Sequence, residues 1–207
     1  MPIINAEARA AGALILSKMR MFNEAVVFME QTLGPALSKG FDICIGKFIK
    51  ENQWIGKVAM ENDTCWIAPN RWKNDDGGSR AWFEIHWHES GEKDYWLATL
   101  TGNGTESGEF GFLFDLDRNS FGGKSFNQYA KSIKSADVER LEKLGFNSLG
   151  KGKFFLPLHL DGELLAQCWQ EYGEFPHDDD VFGPLRYALN VLAESVPIFD
   201  QILQDAP

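Results

Sequence analysis

From Ala81 to Asp117 apolar and polar residues take turns in three runs: AWFEIHWHE, then YWLATLTG, then EFGFLFDLD. The segment SGEKD separates the first two, and a glycine-rich break separates the second from the third. Successive side chains of a strand point to opposite faces, so this alternation predicts an antiparallel meander. Phe83, Ile85 and Trp87 then share a face that wants a core, and Trp82, Glu84, His86 and His88 share the other. In the third run Phe110, Phe112, Phe114 and Leu116 line one face, with Asp115 and Asp117 opposite. Upstream, WIGKVAMEND and TCWIAPNRWK read as a further pair of strands joined by a tight turn at Glu61-Asn62-Asp63. Pro69 has no N–H to give a ladder, so it marks an edge position or the end of its strand. Downstream, FFLPLHLD, interrupted by Pro157, reads as an edge strand or an extended segment.

The flanks carry a helical period. Ile15, Met19, Phe22, Val26, Met29 and Leu33 follow one another at spacings of four and three. Asn5 suits the N-cap and Gly34-Pro35 a stop, which gives a helix about 40 Å long. Residues 36–51 carry Ile43, Ile45 and Phe48 but also Gly40 and Gly46, and read as a short helix or an irregular connection. A helix beginning at KSFNQYAKSI reaches Leu144, with a second start at Ser135, and GELLAQCWQEYG supplies a helical turn or two. A final helix spans Val181 to about Gln204 on the stripe Leu185, Leu189, Leu192, Val196, Phe199 and Leu203, with Pro197 kinking or restarting it. The expected fold is α+β: a central antiparallel sheet of about five strands, a long N-terminal helix, and helices following the sheet and at the C-terminus. Residues 1–35 read as a helical arm and 36–207 as a single α+β domain.

Composition narrows the function classes. The 207 residues are 44% hydrophobic and 13% aromatic, as in a folded chain and unlike a disordered one. The net charge of −10 and the absence of a basic stripe argue against general nucleic-acid binding. They suit solubility, a basic protein partner, or mimicry of nucleic-acid phosphates. Cys44, Cys65 and Cys168 are odd in number and far apart, so they read as free buried thiols in a reducing compartment. The first residues lack the basic and apolar blocks of a secretory signal, and no apolar run approaches the ~18 residues of a membrane span. The expected location is cytoplasmic.

The sharpest chemical constellation is Glu84, His86 and His88 with Asp115 and Asp117. Two histidines at i and i+2 on one strand face can both reach a divalent metal, and a neighbouring strand's carboxylate can complete the set. No third histidine or cysteine stands at a fixed spacing, and a solvated or helix-covered polar face explains the same residues. His177-Asp178-Asp179-Asp180 precedes a helix, where carboxylates cap free N–H groups. Gly102-Asn103-Gly104 and Gly122-Gly123-Lys124-Ser125 match neither phosphate-loop pattern. No GxSxG is present, and no nucleophile can be paired with a base. Trp54, Trp66, Trp72 and Trp82 have no basic surround for base stacking and suit core or interface duty. The expectation is a protein that is not an enzyme and carries no cofactor.

The succession WIGKVAM, CWIAPNRWK, WFEIHWHE, GEFGFLFDLD, FFLPLHLDGELL and VFGPLRYALNVLAESVPIFDQIL, from Trp54 to Leu203, resembles the accessory C-terminal region of PD-(D/E)XK nuclease-like proteins of bacteria and phages. The nuclease motif itself is missing: Glu92-Lys93 are adjacent and no D…ExK pair is present. The resemblance therefore implies a recognition module in phage–host conflict and not a nuclease. The expected function is a non-catalytic, protein-binding regulatory or inhibitory module. An acidic nucleic-acid mimic and a metal-dependent hydrolase are the alternatives. The expected contact residues are Ile15, Met19, Phe22, Val26 and Met29, whose stripe outruns what one sheet can bury and suits a two-fold homodimer.

Overall fold

The computed structural model describes residues 5–74, 78–88, 94–104, 108–117 and 126–205. The fold is α+β, built on one antiparallel sheet of six strands. The strands are β1 (Trp54–Ala59), β2 (Thr64–Pro69), β3 (Ala81–His88), β4 (Glu109–Leu116), β5 (Asn147–Gly150) and β6 (Lys153–Pro157). Their order across the sheet is β1-β2-β3-β4-β6-β5. The helices are α1 (Ala6–Ser17), α2 (Met19–Phe28), α3 (Gly34–Asn52), α4 (Trp96–Leu100), α5 (Phe126–Ser132), α6 (Ser135–Lys143), α7 (Gly162–Tyr172) and α8 (Gly183–Asp205).

The alternation of β3 and β4 turns into layers as expected. Ala81, Phe83 and Ile85 are buried, and Trp82, Glu84 and His86 between them are not. The register carries the core face across the sheet: Ile67 lies beside Phe83, Phe83 beside Phe114, and Phe114 beside Phe154. α8 packs over that face through Phe199. Its ring stacks on Phe114 at 4.0 Å and meets Trp72, Phe83, Phe146 and Phe154 edge-on at 5.4 to 6.4 Å. Asp200, the next residue, ties the turn after β2 to the same helix. It accepts from the Trp72 indole at 2.7 Å and from Arg71 at 2.6 Å. α3 closes the rest of the core with Leu37, Phe41, Ile45 and Phe48. Gly40 lets the Phe182 ring lie against the backbone of α3, where a Cβ would collide with it.

Four expectations change. The run YWLATLTG is not a strand: it holds the short helix α4, and β3 pairs directly with β4. The sheet gains β5, whose sequence NSLG carries one large apolar residue and no alternation to read. β6 is an inner strand, and Pro157 sits at its last position, where a missing N–H interrupts no further ladder. Gly34-Pro35 does not stop the N-terminal helix. A π-turn at Met29–Leu33 leads straight into α3, with the Gly34 N–H on the Met29 carbonyl. Pro35 has no N–H and its ring would crowd the carbonyl four residues back, so the wider turn accommodates it. Residues 36–51 are accordingly part of a 19-residue helix. Pro197 likewise lies within α8, which runs on past it.

Candidate functional site

The N-terminal helix is the first candidate. Asn5 caps α1 by accepting from the Ala8 N–H at 2.7 Å, as its position suggests. Lys18 leaves helical geometry, with φ −118° and ψ 21°, and divides α1 from α2. Neither helix buries a single residue. Nine large apolar side chains between Leu14 and Phe28 stand 37 to 71% exposed, among them the expected contact residues Ile15, Met19, Phe22 and Val26. Met29 is only half-buried and starts the π-turn. The chain becomes core at Gly34 and Leu37.

At the root of this helix lies an apolar groove of about 520 Å³. Met29, Leu33 and Leu37 form one wall, α4 a second through Leu97 and Ala98, and α7 a third through Ala166 and Trp169. Two contacts hold the walls together. The Phe28 ring meets Trp169 edge-on at 6.1 Å, and the Tyr95 hydroxyl donates to the Met29 carbonyl at 3.4 Å. Asp161 fixes the start of α7 by accepting from the Glu163 and Leu164 N–H groups. The groove is not visible in the sequence because two of its walls carry no readable helical period: YWLATLTG alternates as a strand does, and GELLAQCWQEYG reads as a turn or two, whereas α4 and the 11-residue α7 are helices.

The second candidate is the polar face of the sheet. Glu84, His86, His88 and Asp115 do share it, on directly adjacent strands, with Trp82 opposite Asp115 and His86 opposite Gly111. Asp117 lies just past the end of β4, its N–H on the Arg80 carbonyl. The carboxylates are engaged within the chain. Asp115 Oδ2 accepts from Lys153 at 2.8 Å and Oδ1 from the Leu116 N–H, while Glu84 accepts from the Trp82 indole at 3.0 Å. The two imidazoles are 6.5 Å apart between ring centres. Burial holds the His86 pKa below its ordinary value, against the smaller pull of Glu84. Among the described residues no group of three or more His, Cys, Asp or Glu side chains is placed to hold a metal ion. The face is also less polar than its sequence suggests. Leu113 and Phe155 both lie on it and are buried. Phe155 spreads over Gly111, where any side chain would meet its ring and the Leu156 carbonyl, and it packs against His88 at 5.4 Å.

A third cavity, about 350 Å³, lies between α3 and α8 and brings Cys44 near His177. The thiol donates to the backbone carbonyl of His177 at 3.0 Å, and burial pushes its pKa up, so the pair is not a nucleophile with its base. Arg186 also donates to that carbonyl and to the Asp179 carbonyl, while Asp179 caps the turn before α8 by accepting from the Val181 N–H. The acidic run thus does the capping work its position suggests. Among the described residues no helix is long and apolar enough to cross a membrane. No family model, curated protein or solved structure matches this chain.

Proposed function

We propose that the chain is a non-catalytic protein-binding module, regulatory or inhibitory in role, and that the helix Ala6–Phe28 is its binding element. One observation carries the reading: this helix presents nine large apolar side chains and buries none of them. Its two segments have 12 and 10 residues, lengths that are marginal for an isolated helix in water, and exposed apolar patches of such extent mark interaction surfaces. The charged side chains of the helix support a protein partner over a lipid one. Glu7, Arg9, Lys18, Arg20 and Glu24 mix both signs, unlike the Lys/Arg-rich face of an interfacial helix. The place of such a module in bacterial phage defence or counter-defence rests on the resemblance carried by Trp54–Leu203.

The test is site-specific cross-linking in bacterial cells. A photoreactive residue replaces Met21 on the helix in one full-length chain, and Glu194 on the exposed side of α8 in another. The reading expects a discrete protein adduct from position 21 and none from position 194. It expects the contact to survive in lysate at about 1 M salt, where surface charges are screened within ~3 Å. No adduct at 21, or equal adducts at both positions, contradicts it. An adduct that salt abolishes points to the acidic-mimic alternative.

A further inference from the structure

We infer that the partner is a second copy of this chain: the N-terminal helix of one copy seats in the groove at the root of the other's helix, and reciprocally, to give a two-fold dimer. The inference rests on the protein-binding reading above and names the occupant of its site.

Surface area is the first support. The chain exposes 12267 Å², whereas a compact monomer of this length exposes about 9,700 Å². The nine exposed apolar side chains of the arm contribute to this excess, and with the groove they supply the two halves that the inference joins.

Continuity is the second support. The groove begins at Met29 and Leu33, directly after the exposed helix ends at Phe28. The helix of residues 6–28, its two segments α1 and α2 interrupted at Lys18, spans at most about 35 Å at 1.5 Å per residue. When two such helices pair antiparallel about a two-fold axis, each free end arrives at the root of the other. The arriving segment suits the space. Ala6, Ala8, Ala10, Ala11, Gly12 and Ala13 make the first turns thin, and the bulky side chains from Leu14 onward meet their counterparts along the seam. Each copy gives a helix and offers a groove, so a two-fold arrangement uses both contacts at once and closes at two copies.

Charge is the third support. Residues 5–28 carry Arg9, Lys18 and Arg20 against Glu7 and Glu24, a net +1, so the remainder of the chain carries −11 of the total −10. The groove has no charged side chain in its lining. Its α7 wall bears Glu163 and Glu171 and no Lys or Arg. In an acidic protein the helix is therefore the part that meets a second copy without like-charge repulsion, and it meets an acidic rim.

The experiment measures the molar mass of the purified full-length chain by light scattering at micromolar concentration, with circular dichroism as a check on folding. The expected result is twice the chain mass. Phe22→Asp on the helix and Ala166→Arg on the exposed wall of the groove should each return the mass of one chain with unchanged dichroism. A monomer from the unmutated chain overturns the dimer. So does a dimer that survives Ala166→Arg, because the helix would then not use the groove. Either result is distinguishable from failure of the protein-binding reading, which the position-21 adduct decides, and an adduct of twice the chain mass agrees with the dimer.

Discussion

Burial lowers the His86 pKa, with His88 and Lys153 acting the same way, and together they outweigh the upward pull of Glu84 and Asp115, so the imidazole is held below 6.5. The sign of the resulting pH effect follows. The unfolded chain takes up this proton more readily than the folded one, so the folded state keeps its full stability above about pH 6.5 and loses it as the pH falls towards the lower, folded pKa. His86→Gln should remove that loss. Between about pH 7.5 and 5.5 the denaturant midpoint should fall further for the unmutated chain than for the variant. Parallel midpoints would show that His86 is not held neutral by burial. At this scale the sequence reading placed the right residues on the right face. It missed Leu113 and Phe155, because Gly111 carries no side chain and lets a ring from the next strand cover a patch that the alternation marks only as polar.

Elements with a repeated pattern were legible, and elements without one were not. β1 to β4 and α8 follow from alternation or from a leucine stripe. α4 starts at Trp96, directly after Tyr95, both residue types favoured in strands, and at five residues it is too short for its period to oppose that impression. β5 is short and mostly polar, and it becomes a strand because β6 offers it a partner. Gly34-Pro35 carries the local signature of a stop, but the packing of Leu37 and Phe41 into the core holds α3 in line, and a π-turn absorbs the proline. The N-terminal helix was legible as a helix from its apolar stripe, and the exposure of that stripe is what the structure adds. Its independence makes a prediction. Removal of residues 1–28 takes away the Phe28–Trp169 ring contact, worth about 1 kcal/mol, and, among the described residues, no buried side chain. Against the Phe22→Asp chain, which the inference expects to be a monomer, thermal unfolding of the shortened chain should therefore shift by only a few degrees. Loss of a cooperative transition would mean that the arm belongs to the core.

For the whole molecule, the account is an aromatic sheet domain that carries one exposed apolar helix and, at its root, an apolar groove. The aromatic core centred on Phe199 leaves little for the arm to add to the stability of its own chain, as the proposed contact with a second copy requires. The most direct measurement is amide hydrogen exchange of the full-length chain, followed by peptide, at high micromolar and at low nanomolar concentration. The account predicts that residues 6–28 are protected at the higher concentration and exchange rapidly on dilution, while α3, α8 and β3–β4 stay protected at both. Equal exchange across 6–28 at the two concentrations, slow or fast, would contradict it.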